Sequence, residues 1–355
     1  MSGRVLVATW HPGSKNAVLP VVEKLVEKGA EVSWLEQSDF PDFDVLKMID
    51  VLQQENTDIV LTGTSVQDEQ TRQVIEQTLV AAAKLRGIPS LSVLDFWLNY
   101  SERFSDYGTK NLAYLPDRIA VMDDLARNAM LKEGFPSHLI AVTGNPYFDS
   151  LFNQQEEFTD EDKANIRNNL RIDPDTTLFL YASQPIRETF GMKYGYTEVE
   201  ALQHLIQGIK TVRKGLNFQF LIKAHPRENK RELERIVEKT GIPIAVDQDY
   251  DTRRVLLASD VVISPFSTIL IESSYLGLPS ISLQPGLEGE DPLITNRLGV
   301  TTPVYCASDL GIIIEDLLIN DSYRYKLASL ARRKGFQTDG NATPRVTELI
   351  YELME

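Results

Sequence analysis

Four stretches of this chain place reactive side chains where an apolar, strand-like run gives way to a helical one. In the first, Trp10-His11-Pro12-Gly13-Ser14-Lys15-Asn16, His11 belongs to the residue type best suited to general base work near neutral pH. Gly13 and Ser14 suit the start of a helix whose free amides face an anion. The same residues also make a plain strand-to-helix turn with Ser14 as the cap, and both readings stand. The stretch lacks the GxGxxG spacing, so it does not imply a dinucleotide. Asp95, just after an apolar run, would orient His11 or act on an acceptor hydroxyl. Equally, it would cap a turn before Phe96-Trp97-Leu98.

The second stretch, residues 183–191, is a polar loop after a strand, opening Ser183-Gln184-Pro185. Arg187 in it suits a phosphate clamp, because its fork pairs with two oxygens at once; the alternative is a surface Arg-Glu loop. The third holds Lys223-Ala224-His225-Pro226-Arg227, where a histidine at a strand end, beside two cations, would donate to a phosphate oxygen. The fourth carries most weight. A strand ends at Ser264, and Ser267 and Thr268 open a helix whose hydroxyls and amides make an anion site, with Glu272 a turn further on to accept from ribose hydroxyls. The competing account makes Ser267 a simple N-cap and Glu272 a solvated helix residue.

No metal is expected. The run Asp247-Gln248-Asp249-Tyr250-Asp251 starts like a calcium loop but has Thr252 and Ala258 where Gly and Glu are required. That run and Asp42-Phe43-Asp44 read as helix caps and turns. His11, His138, His204 and His225 share no ligand spacing, and Cys306 is the only cysteine, so no disulfide within the chain is possible.

The elements that must position these residues alternate. Strands are expected at 4–10, 31–35, 58–62, 90–94, 118–122 and 139–142, with helices at 15–28, 43–54 and about 68–86 between the early ones. The acidic, polar stretch from Phe152 to Asp175 reads as a linker leading into an exposed helix. A second series follows: strands at 177–182, 218–224, 261–264 and 280–283, helices at 198–214, 228–239 and 268–276, and a helical tail. Such alternation predicts α/β architecture, two parallel sheets each covered by helices on both faces. The expected domains are 1–151, 152–335 and a terminal segment, 336–355.

With 36 basic and 51 acidic residues the net charge is −15, a field that repels nucleic acid and anionic membrane. Met1-Ser2-Gly3-Arg4 runs into a strand-like stretch unlike a signal peptide, and no apolar run is long enough to span a bilayer; a cytoplasmic location is the expectation, with membrane contact at most peripheral.

Several of these segments together resemble a known superfamily. Val142-Thr143-Gly144-Asn145-Pro146, the His225-Pro226 loop, Ser264 to Pro279 and Asp339-Gly340-Asn341-Ala342 are similar to UDP-N-acetylglucosamine 2-epimerases and GT-B glycosyltransferases. The resemblance implies two Rossmann-like domains facing across a cleft, with residues 342–354 crossing back to the first domain. It places the nucleotide on the unit from Ser264 to Glu272, with Ser267 and Thr268 on the diphosphate and Glu272 on the ribose. The epimerases carry a His-Arg-Arg-Glu-Asn type motif and a Ser-Gly-Gly turn where this chain has Gln184-Pro185-Ile186-Arg187-Glu188-Thr189 and Phe266-Ser267-Thr268. The Gln-Pro and His-Pro loops instead look like capsule-type sugar transferases and glycerophosphotransferases, in which the His-Pro histidine contacts the donor phosphate.

The function this implies is metal-independent, cofactor-free transfer of a sugar from a nucleotide-sugar donor to an acceptor, in surface polysaccharide or glycoconjugate synthesis. Gln184, Arg187 and His225 would hold the donor, and His11 or Asp95 would be the base. The alternatives are an epimerase-like enzyme and a non-catalytic binding or regulatory protein.

Overall fold

The computed structural model describes residues 3–40, 42–69, 71–242, 244–334, 336 and 338–355. Two units make up the chain, Met1–Ser150 with Thr338–Glu355, and Leu151–Gln337. Residue 335, the expected end of the second domain, and Met1 and Ser2 lie outside the described residues.

The first unit contains β1 (Arg4–Thr9), β2 (Glu31–Glu36), β3 (Ile59–Thr62), β4 (Ser90–Val93), β5 (Arg118–Val121) and β6 (Ile140–Val142). They form one parallel sheet in the order β2-β1-β3-β4-β5-β6. β3 and β4 are buried along their whole length, as strands covered on both faces must be. Alternation along β1 divides the core. Val5 and Val7 pack with Val18, Val21 and Leu25 of the helix Pro12–Glu27, whereas Leu6 and Ala8 pack with Met48, Leu52 and Leu79 on the opposite face.

The expected returning helix forms over Ala342–Met354 and belongs to this unit, burying Val346 and Ile350 in the β1 core. Each such side chain stabilises by roughly 1.5–3 kcal/mol. Its first turn is tied down by Asp149, whose carboxylate accepts from the amides of Ala342 (3.1 Å) and Thr343 (2.6 Å). Gly144 lies against it with φ +88°, and a Cβ there would come within 2.8 Å of the Ala342 Cβ.

In the second unit β7 (Thr177–Ala182), β8 (Phe218–Lys223), β9 (Ile244–Asp247), β10 (Val261–Ser264), β11 (Ser280–Leu283) and β12 (Thr302–Val304) are parallel in the order β12-β11-β10-β7-β8-β9. Counted within the unit this is the doubly wound Rossmann order. Phe179, Tyr181, Ile222 and Ile263 meet Leu205 and Ile209 of the helix Glu198–Thr211 and Leu310 and Ile314 of the helix Ala307–Ile319. Those two helices approach closely through Gly208 and Gly311. A Cβ on Gly311 would lie 1.8 Å from Thr211 Oγ1.

Three expectations need correction. The helix expected from about 68 begins only at Ile75, where Gln37 Oε1 accepts the first amide. The presumed linker is mostly helical: residues 154–157 end the helix Pro146–Glu157, and Asp160 opens the helix Asp160–Asn169 behind a Thr159–Asp162 capping box. β9 and β12 have no counterpart in the sequence reading, being four and three residues long, with Pro303 inside the edge strand β12.

Candidate functional site

Doubly wound sheets bind ligands at their carboxyl ends, where the strand order reverses and successive loops diverge. In the first unit that point lies between β1 and β3. The loop after β1 carries His11, the N-cap of the helix Pro12–Glu27, followed by Pro12 at the first helical position. Ser14 is therefore not the cap: it is fully buried inside the first turn. It donates to Glu76 Oε1 (2.5 Å), to which Ser65 Oγ, from the loop after β3, also donates (2.8 Å). Ser65 Oγ in turn accepts the His11 amide (2.9 Å). Gly63 makes the approach possible, because a Cβ there would sit 1.8 Å from Ser14 Oγ.

Asp95, at the end of the neighbouring β4, is ion-paired with Arg103, both largely buried. Arg103 also donates to the Thr64 carbonyl and, through Nε, to the Leu98 carbonyl (2.9 Å). A Cβ on Gly13 would lie 2.5 Å from Asp95 Oδ2, so the missing side chain lets this carboxylate rest against the start of the helix Pro12–Glu27, where its charge is favoured. His11 is stacked on Trp10, ring centroids 3.9 Å apart. Burial holds its pKa below the usual imidazole value; Asp95 pulls upward and Arg103 downward. The ring is thus neutral at pH 7 and able to accept a proton, while the Asp95 carboxylate is tied to Arg103.

In the second unit the order reverses between β10 and β7. Gln184, just past β7, accepts the Phe266 amide through Oε1 (2.9 Å), joining the two loops across that point. Ser267 caps the helix Thr268–Tyr275, its hydroxyl accepting from the Ile269 amide (3.4 Å). Ser264 does not face this crevice. Its hydroxyl is fully buried and donates to the Ala182 carbonyl (2.7 Å), so it braces β10 against β7 and is removed as a direct ligand contact. Glu272 is buried, not solvated, with Oε2 3.8 Å from Arg253 Nε.

His225 follows β8, next to β7. Its amide donates to Glu228 Oε2 (2.8 Å), its carbonyl accepts from Gln248 (2.8 Å), and its Nδ1 accepts from the Arg227 amide (3.2 Å). With Nδ1 an acceptor, the geometry assigns the ring proton to Nε2. Partial burial and Arg227 lower its pKa, so the neutral ring carries one N–H donor, at Nε2. Glu228 links this loop to β7 by accepting from Ser183 Oγ (2.7 Å). Arg187 lies on a short helix, Ile186–Phe190, rather than in an irregular loop. Its amide donates to Glu198 (2.8 Å), and its exposed guanidinium has no partner among the described residues.

Glu76, Ser65, Gly63 and Arg103 in the first unit, and Glu228, Gln248 and Arg253 in the second, escaped the sequence reading. Gly63-Thr64-Ser65 directly after a strand was a usable signal. Glu76 gave none, because the helix start that buries it was misplaced. No group of three or more His, Cys, Asp or Glu among the described residues is arranged to hold a metal ion, and no described helix is long and apolar enough to cross a membrane.

The profile of the CDP-glycerol:poly(glycerophosphate) glycerophosphotransferase family matches residues 117–352. The chain belongs to this family. The matched span of the glycerophosphotransferase family contains the whole row of second-unit loops but begins after His11, Glu76 and Asp95. Curated proteins give no sequence match. Among solved structures, the Neisseria meningitidis UDP-GlcNAc 2-epimerase bound to UDP-GlcNAc is 18% identical with TM-score 0.67, covering 98% of this chain and 100% of that one. A Rickettsia africae glycosyltransferase is 14% identical with TM-score 0.63, covering 100% and 99%. Anabaena HepE in complex with UDP and glucose is 15% identical with TM-score 0.59, covering 99% and 100%. The fold is thus of the GT-B kind along the full chain, and the expected likeness is borne out, to the epimerases in fold and to the glycerophosphotransferases in family. Family and fold together make this a transferase-type protein.

Proposed function

We propose that this protein is a metal-independent transferase that moves a sugar, or a polyol phosphate such as phosphoglycerol, from a nucleoside-diphosphate-linked donor to a hydroxyl acceptor in surface polysaccharide or glycoconjugate synthesis. The observation that carries the reading is the row of donors at three neighbouring strand ends of the second unit. After β10 come the amides of the helix Thr268–Tyr275 and the Ser267 hydroxyl; after β7, Gln184; after β8, the Nε2–H of His225. Departure of the nucleotide leaves negative charge on phosphate oxygens, and fixed N–H donors stabilise that charge without reorganising. Arg187 adds a guanidinium whose charge no described residue neutralises. Glu272 takes the ribose hydroxyls.

The comparison proteins named above include UDP and UDP-sugar complexes, and the family name specifies a CDP-linked glycerol. Both ligand types are a nucleoside diphosphate joined to a polyhydroxylated group, which supports that donor class. His11, neutral and within the field of Asp95, is the proposed base that takes the acceptor proton. An epimerase reading has less support, since residues 183–191 contain no histidine.

The test is thermal stabilisation by UDP, CMP, GDP, ADP, their sugar conjugates and CDP-glycerol, in the native protein and in a Glu272→Ala/His225→Ala double variant. A melting-temperature rise with one nucleotide, lost in the variant, supports the donor site and names its class. Release of nucleoside diphosphate marks glycosyl transfer; release of CMP marks transfer of a phosphoglycerol group. Absence of any shift across the panel sinks the proposal.

A further inference from the structure

Glu76 has a place in the first unit that the function above does not use. It is the second residue of the helix Ile75–Arg86, and only 2% of its surface is exposed. Three donors converge on Oε1: the hydroxyls of Ser14 and Ser65 and, at 3.3 Å, the Ser65 amide. Oε2 is buried with no hydrogen-bond partner. A carboxylate so arranged would bury a charge with one oxygen unsatisfied, which costs far more than burying a neutral hydroxyl. The charged groups around it do not offset that charge. Asp95, after β4, carries the same sign of charge; Arg103, on the following 3-10 turn, is bound to Asp95 and to two carbonyls; His11 is neutral; and Asp68, in the loop after β3, acts on His11 with the same sign as Asp95.

We propose that Glu76 is a positioning residue which acts as a neutral carboxylic acid, gripping Ser14 and Ser65 and, through Ser65, fixing the backbone of His11. The chain of bonds runs from the His11 amide to Ser65 Oγ and from Ser65 Oγ to Glu76 Oε1. Ser14 extends the hold to the first turn of the helix that His11 caps. A protonated Glu76 leaves Asp95 as the single negative charge resting at that helix start, balanced by Arg103. An ionised Glu76 would set a second beside it.

The inference rests on His11 being the base, but it is tested without turnover, so the two fail separately. In protein labelled with 15N-histidine only four backbone amides appear, and His11→Gln identifies the His11 signal. At pH 6, Glu76→Gln should keep hydrogen exchange at His11 within about twofold of the native rate, because the amide retains a neutral acceptor oxygen. Ser65→Ala and Glu76→Ala should each speed it by about tenfold or more, while the His138 signal, from the same unit, stays in place as a control on folding. The native His11 amide should also show a chemical-shift change centred near pH 7 that is missing in Glu76→Gln. Unchanged exchange in both Ser65→Ala and Glu76→Ala overturns the positioning role. Exchange in Glu76→Gln as fast as in Glu76→Ala, or a transition near pH 7 that persists in Glu76→Gln, overturns the neutral acid.

Discussion

Both units solve the same geometric problem at the carboxyl end of a parallel sheet, yet they fill the reversal point with opposite chemistry. In the first, the start of the helix Pro12–Glu27 is occupied by the chain's own carboxyl groups: Asp95 lies against Gly13, and Glu76 grips Ser14. In the second, the start of the helix Thr268–Tyr275 is met by neutral groups, Ser267 at the cap and Gln184 on the neighbouring amide. A helix N-terminus attracts anions wherever it is free to do so. One unit has spent that attraction on a carboxylate of its own; the other meets it with a hydroxyl and an amide oxygen. The proposed division of labour, donor in the second unit and base in the first, rests on this difference.

The sharpest way to break this comparison is at His225. If its Nε2–H serves the departing phosphate, His225→Ala should lower turnover by about 10²–10³-fold with much less effect on the melting temperature, measured by steady-state assay with the donor that the binding panel selects. A loss under about tenfold would mean that the charge is carried elsewhere in the row.

The carboxyl groups of the first unit give the next largest effect. Burial raises the pKa of Glu76 from 4.5 to about 7, with Asp95 adding to the rise and the bonds from Ser14 and Ser65 opposing it. A group whose folded value lies above its unfolded one stabilises fully below the unfolded value and loses that contribution as pH rises through the folded one. Relative to Glu76→Gln, the native protein should therefore lose roughly 3 kcal/mol of unfolding free energy between about pH 4.5 and pH 8, since each tenfold change in proton affinity is worth about 1.4 kcal/mol. Urea unfolding of both proteins at the two pH values checks it. A constant difference would show that folding leaves the pKa of Glu76 unshifted.

Gly63 tests the packing behind the same cluster. Gly63→Ala should destabilise by about 1–3 kcal/mol, and Ser14→Gly in the same chain should recover part of that loss, because the clash is with Ser14 Oγ. Additive losses in urea unfolding would place the strain elsewhere. The smallest effect is expected at Asp149, which caps the terminal helix: Asp149→Ala should cost about 1 kcal/mol and speed amide exchange at Thr343 before it changes exchange in β3.

What the sequence made legible follows from how local each signal was. β7, β10 and β11 were placed to the residue, because β-branched runs are written within the segment itself, whereas the bounds of the helix Ala342–Met354 came from the resemblance. His11, Gln184, Ser267 and His225 were picked out because a strand end next to Pro or Ser is visible in a few residues, and each does lie shortly after a strand. Glu76 and Arg103 were not, since their roles depend on contacts with residues 14 and 95 brought together only by the strand order. Ser264 and Ser14 were misread for the same reason. A serine beside a helix start has several uses, and burial decides among them.

The helix Ala342–Met354 gives the chain an order of completion. The polypeptide leaves the first unit near residue 150 and rejoins it at 338, so the second unit is an insertion within the first. During synthesis the second unit has all its strands before the first has the helix that buries Val346 and Ile350. The unit begun first is finished last. Loss of a dozen residues from the carboxyl end would leave the β1 core unroofed, and the damage would appear in the half of the chain whose other residues were made earliest.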